Sequence, residues 1–204
     1  MRIIAYKTQT RDNKVLLEES TGDYVLADKL EQLFAFLLEP IEEKHLKVCW
    51  GLDTTVSPIL KLMGKTKCIK LHKEHKCSLW PEDPTTRVFY IPSKVFSVEG
   101  IINVEGKNYR NKSFLYDLAQ YFPELDEPDD LSMVQSLGEK LLYELKKMGL
   151  EPKKLTSPVA IYEECVMRDL DLPMLSDMPK EVAEYAYRCS GRLWIEAHQL
   201  GYWE

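Results

Sequence analysis

The chain has 204 residues, a formal net charge of −6, 45% hydrophobic and 29% charged residues. This composition excludes a disordered or fibrous protein and allows a sizeable core, in one large domain or in one domain with an appendage. The negative balance excludes a globally basic nucleic-acid binder, so any basic surface must be local.

In chain order, Ile3 to Tyr6 is a short apolar run with strand character, and Lys7 to Thr10 continues it as an alternating polar tip. Arg11-Asp12-Asn13-Lys14 turns the chain, and Val15-Leu16-Leu17 starts a second strand. Leu30, Leu33, Phe34, Leu37 and Leu38 recur at helical spacing, in a helix that starts near Asp28 and stops at Pro40. Leu46 to Trp50 reads as a core strand ending in Gly51-Leu52-Asp53. Ser57-Pro58 is expected to open the next helix, because proline suits a first turn, and Gly64 ends it. Strand and helix alternating in this way predict an α/β domain.

The window from Lys61 to Lys76 is the most basic, with Lys61, Lys65, Lys67, Lys70, Lys73 and Lys76. After the turn-rich Trp80 to Pro84, strands are expected at Arg87 to Pro92, Lys94 to Val98 and Ile101 to Val104, with a turn at Glu105-Gly106-Lys107. Phe114 to Leu118 is expected to lead into an aromatic helix ending near Phe122. Beyond the acidic loop Glu124 to Asp130, Val134, Leu137, Leu141, Leu142 and Leu145 predict a helix from about Leu131 to Met148, closed by Gly149. Ser157-Pro158 and Pro179 open two shorter helices around a Leu172-Pro173 linker. No apolar run approaches the ~20 residues of a membrane span, and Met1 leads into a strand without a signal-peptide pattern. The scattered, odd-numbered Cys49, Cys68, Cys77, Cys165 and Cys189 point to reduced thiols in a cytoplasmic setting. The aromatic close of the chain, through Tyr202-Trp203, is expected of a chain cut from something longer or docking there.

Several stretches, taken in order, resemble the N-terminal half of family B DNA polymerases of organellar, plasmid and viral type. Ile4-Ala5-Tyr6-Lys7-Thr8-Gln9-Thr10 resembles the first exonuclease motif, and Trp50 to Lys61 the second. Tyr116 to Phe122 resembles the strand before the third motif, and the helix from Leu131 the one that follows it. Ser157-Pro158, the Leu-Pro linker, and Tyr187-Arg188-Cys189-Ser190-Gly191-Arg192 with Glu196 resemble the passage into the polymerase domain. The resemblance implies an RNase H-like mixed sheet flanked by helices over residues 1–150. It further implies a helical junction over 151–204 toward a polymerase domain that this sequence does not contain.

The exonuclease chemistry of that family uses four carboxylates to hold two divalent metals, which activate water and stabilise the leaving oxygen. Here the first aspartate falls on Lys7, the glutamate on Gln9, the second-motif asparagine on Gly51 and its aspartate on Thr55. The third-motif aspartate falls on Asp130, with Asp126 where a tyrosine would orient the water. Three carboxylates are replaced, one by a cation, so no catalysis and no cofactor are expected of this chain. Mg²⁺ would belong to a polymerase domain of the parent. The expected role is architectural: to support a polymerase in cis or in trans and guide template or single-stranded DNA. Two other readings stay open, a residual nuclease using Asp53, Asp117 and Asp130, and a protein-interaction module.

For DNA contact the resemblance implies Tyr187, Ser190, Gly191 and Arg192, with Lys153 and Lys154 beside that path. Lys67 and Lys70, in the basic window, are candidates for tracking a phosphate backbone. Cys68, His72, His75 and Cys77 invite a zinc reading, against the fact that such ligands normally come as two pairs across a longer loop. Trp80, Phe89, Tyr90 and Phe96 are aromatic in strand context, where core placement is the expectation.

Overall fold

Four consecutive residues, Ile3 to Tyr6, are buried in strand β1 (Arg2–Arg11), which marks a strand covered on both faces. The computed structural model describes residues 1–40, 44–80, 85–104, 106–150, 155–161 and 179–182. The chain divides into two units, Met1–Ile161 and Tyr162–Glu204. In the second, the Val182 amide donates to the Pro179 carbonyl at 2.9 Å. The first extends past residue 150, since Leu155 and Ile161 are buried in it.

The first unit is a mixed α/β structure on one eight-stranded sheet. Its further strands are β2 (Lys14–Glu19), β3 (Tyr24–Ala27), β4 (His45–Cys49), β5 (Lys76–Ser78), β6 (Arg87–Ile91), β7 (Val95–Val104) and β8 (Lys107–Asp117). The order is β3-β2-β1-β4-β8-β7-β6-β5. The contiguous strands β1, β4 and β8 are parallel, and every other pairing is antiparallel. Its main α-helices are α1 (Leu30–Leu38), α2 (Leu52–Met63), α3 (Lys65–Glu74) and α4 (Leu131–Lys147), and residues 158–161 are helical as well.

Strand periodicity assigns the helices to faces. Ile4 and Tyr6 join the main core with Leu33, Phe34 and Leu37 of α1 and Val56 and Ile59 of α2. Ile3, one residue out of phase, meets α4 on the other face. A Cβ on Gly138 would sit 2.9 Å from Ile3 Cγ2, so the missing side chain lets α4 lie close against β1.

Several boundaries differ from the sequence expectation. Helix α2 opens at Leu52, not at Ser57, and Pro58 lies inside it. A carboxylate from another strand, described below, takes the amides of Gly51 and Leu52, so a cap that sequence does not place next to them starts the helix early. The basic window contains a separate helix, α3, whose one buried residue is Leu71. Val95 to Val104 is one strand, not two, with Gly100 facing Leu38 at a distance no Cβ would fit comfortably. Phe114 to Asp117 ends β8, and a 3-10 turn at Ala119–Tyr121 replaces the expected helix. Strand β3, a four-residue edge strand with Tyr24 and Leu26 exposed, has no counterpart in the sequence expectation. Tyr90 and Phe96 are core residues as expected.

Candidate functional site

Strands β4 and β8 end level with one another, at Cys49 and Asp117, beside Tyr6 of β1, which runs on to Arg11 as the partner of β2. In open α/β sheets the crevice outside the carboxyl ends of such strands is the usual ligand position. Here that position holds a small cleft of about 100 Å³, lined by Lys7 and Thr8 of β1, Trp50 after β4, Thr55 of α2, and Glu127 and Asp130 before α4.

The cleft is tied together by polar contacts across elements. The Lys7 ammonium lies 3.7 Å from the Glu127 carboxylate, both partly exposed. The Thr8 hydroxyl donates to the Thr55 carbonyl, which fastens β1 to α2. Trp50 stacks on Phe122 with centroids 6.3 Å apart and planes inclined by 21°. Asp130 is the N-cap of α4: it accepts the Ser132 hydroxyl at 2.7 Å and the Met133 amide at 2.8 Å. Those bonds hold its carboxyl below the ordinary aspartate value. Lys7, Thr55 and Asp130, distant in sequence, therefore line one cleft, whereas Gln9 is exposed and outside its lining.

The other two aspartates considered for a nuclease are engaged elsewhere. Asp117 is 4% exposed and accepts three amides, from Gly51 at 3.2 Å, Leu52 at 3.0 Å and Ala119 at 3.0 Å. Burial pushes its carboxyl up from the ordinary value, against the pull of those donors. Asp53 accepts the Tyr90 hydroxyl at 2.6 Å, and the Ser93 amide and hydroxyl at 2.8 Å each. Although burial works in the opposite sense, the bonds from Tyr90 and Ser93 hold Asp53 below its ordinary value. Each of Asp53, Asp117 and Asp130 thus fixes backbone at a different junction. Among the described residues, no three His, Cys, Asp or Glu side chains gather in a way that could hold a metal ion.

The zinc candidates are dispersed onto separate partners. The Cys68 thiol donates to the Leu60 carbonyl at 2.8 Å, and the Cys77 thiol to the Ser78 carbonyl at 3.2 Å. His72 meets the Tyr90 ring edge-on at 5.5 Å, and His75 Nδ1 lies 3.0 Å from the Tyr90 carbonyl oxygen. These four side chains do not gather into a zinc centre. Lys67 and Lys70 both lie on α3, the first half-buried and the second exposed. Tyr187, Ser190, Gly191, Arg192, Lys153 and Lys154 lie outside the described residues.

Sequence reasoning did not find Glu127 as the partner of Lys7, nor the Trp50–Phe122 stack, nor the bonds from Tyr90 and Ser93 to Asp53, nor the capping role of Asp117. The only local signal was for Asp130, which stands at the start of an apolar-periodic helix as an N-cap should. Comparison with protein-family models, with curated proteins and with solved structures found no match to this chain. Among the described residues no helix is long and apolar enough to cross a membrane.

Proposed function

We propose that this chain is a degenerate 3′–5′ exonuclease-like domain of the family B DNA polymerase type, RNase H-like in fold. On this reading it does not cleave DNA, and it supports a polymerase domain while guiding template or single-stranded DNA during replication in the cytoplasm. One observation carries the reading: Lys7, Thr55 and Asp130, the counterparts of acids in three separate motifs, line the same cleft at the ends of parallel strands. A mixed sheet with helices on both faces and free thiols at Cys49, Cys68 and Cys77 agree with the same reading.

The residues present do not fit a two-metal centre. An ammonium, a hydroxyl and a carboxylate already used as a helix cap stand where anionic ligands are needed. A unit-charge pair at ~4 Å is worth about 4 kcal/mol at an effective dielectric of ~20, so exchanging an anion for Lys7 reverses a contribution of that order. Mg²⁺ chemistry is assigned to the polymerase domain.

The test has two parts. The pure chain, incubated with labelled single-stranded DNA and Mn²⁺, is expected to leave the DNA full length; metal-dependent shortening lost in Asp130→Ala would overturn the proposal. The triple variant Lys7→Asp, Gln9→Glu, Thr55→Asp is expected to gain Mn²⁺ binding by calorimetry. A folded triple variant that binds no Mn²⁺ would remove the basis for assigning these positions to the exonuclease motifs.

A second reading, a protein-interaction module, draws on a groove between α1 and β7 of about 510 Å³ that includes Phe34, Leu38, Trp80, Ile101 and Ile102. Absence of single-stranded DNA binding at low salt would favour it.

A further inference from the structure

The contact with DNA, if it ran through the cleft, would have to pass an ion pair and a space of only about 100 Å³. The concentrated positive charge lies elsewhere. Between residues 61 and 76 there are six lysines and a single glutamate, in a chain whose net charge is −6. Helix α3 carries four of the six, Lys61 lies in the last turn of α2 and Lys76 begins β5.

Helical geometry decides which of them share a surface. Leu71 is buried against the sheet and Cys68 is half-buried beside it, which fixes the inner face of α3. At 100° per residue, Lys65, Ile69 and Lys73 form one outward row, with Lys70 next to it. All four are exposed, Ile69 to 48%. Among the described residues only Lys70 of the six lysines is in an ion pair, with Glu74 at 3.8 Å in an exposed position where such pairs contribute little. Lys61, Lys65, Lys73 and Lys76 are exposed and make no ion pair among the described residues, and Lys67 is half-buried.

We propose that the outward face of α3, from Lys65 to Lys73 and continued by Lys61 and Lys76, is the surface on which this protein holds the phosphate backbone of single-stranded DNA. The choice of DNA rests on the function proposed above; the location does not. Lys65 and Lys73 are separated by ~12 Å along the helix, the length of three to four phosphates of a stacked strand. A protein partner requires an aromatic or aliphatic anchor seated in a pocket. This face offers a single exposed isoleucine and otherwise point charges, which suits sequence-independent contact with a uniform polyanion. Ile69, between the two ends, presents apolar surface to a sugar or base.

The experiment measures fluorescence anisotropy of a labelled oligothymidylate of about 20 nucleotides with the full chain, over a series of salt concentrations. With four phosphates neutralised, log K is expected to fall with log salt with a slope of about −3. Lys65→Glu/Lys70→Glu/Lys73→Glu is expected to weaken binding at least 30-fold, while Lys7→Gln changes it less than twofold. Because all three substituted positions are exposed, an unchanged circular dichroism spectrum is expected, and Lys65→Ala/Lys73→Ala gives a milder version of the same comparison. Four outcomes overturn the proposal. They are no binding by the unsubstituted chain at low salt, full binding by the folded α3 variants, equally tight binding of polyglutamate, or a concentration-dependent dimer abolished by the α3 substitutions. If any of these is found while the triple cleft variant still gains Mn²⁺, the α3 assignment falls and the vacated-site reading stands. If the α3 variants lose DNA and the triple variant gains no Mn²⁺, the reverse holds.

Discussion

Asp117 Oδ2 accepts the Leu52 amide at 3.0 Å, so the last residue of β8 caps a helix that begins 65 residues earlier in the chain. The same carboxylate also holds the amides of Gly51 and Ala119. Removing it strands three backbone donors at a junction that water does not reach freely. A buried donor without an acceptor costs ~1–3 kcal/mol, and partial access to water places the whole change near the upper end of that range for one donor. Asp117→Ala is therefore expected to destabilise the protein by about 3 kcal/mol and lower Tm by roughly 6–12 °C. Asp117→Asn, which keeps one acceptor oxygen, should lose about half as much. A thermal melt of Asp117→Ala within 2 °C of the parent would show that the cap is dispensable.

Asp53 gives stability a definite dependence on acid. Its folded carboxyl is held below the ordinary value by Tyr90 and Ser93. In the interval between the folded and unfolded values, the unfolded chain binds more protons, so stability rises with pH there. The contribution is whole above about pH 4 and is lost as pH falls through the folded value. Asp130 acts in the same sense. Asp117 acts in the opposite one: its raised carboxyl favours the folded state below about pH 4, and that advantage disappears as pH rises through the folded value. Urea midpoints measured from pH 2.5 to 5 should show a shallower acid slope in Asp53→Asn than in the parent, and a steeper one in Asp117→Asn. Equal slopes in all three would contradict the assignments.

Lys47 predicts a second, alkaline dependence. Its ammonium is 4% exposed, donates to the Leu37 carbonyl at 2.6 Å near the C-terminus of α1, and lies 5.5 Å from the centre of the Tyr6 ring. Burial pulls its pKa down to about 8, against Glu19 and Glu39, which favour the charge. Between that value and the unfolded one near 10.4 the unfolded chain binds more protons, so stability should increase as pH rises through this window. Lys47→Met should flatten the increase. At neutral pH its stability should fall within about 1 kcal/mol of the parent, because a buried charge is exchanged for apolar volume. Denaturant midpoints at pH 7, 8, 9 and 10 measure both effects. A parent whose midpoint falls across that range, beyond what Lys47→Met shows, would contradict the direction.

What could be read from sequence follows from how local each cause is. The four-residue apolar run of β1 and the 3.6-residue period of α4 carry their own signals, and both elements are found where they were expected. Helix α2 was misplaced at its start because its cap comes from β8. Helix α3 was not recognised because only Leu71 is buried, which leaves lysine rather than hydrophobic period as its visible feature. At the cleft, Lys7, Thr55 and Asp130 were marked by motif resemblance. The Glu127 contact was not, because it depends on how the acidic loop crosses β1 at Lys7.

The reach of Asp117 also orders events in time. Strand β8 must dock beside β4 before its terminal carboxylate can meet the first turn of α2, and parallel pairing of distant segments is a slow step of assembly. The N-terminal end of α2 is thus a late-formed part of the molecule, and losing its cap should show as faster unfolding far more than as slower refolding.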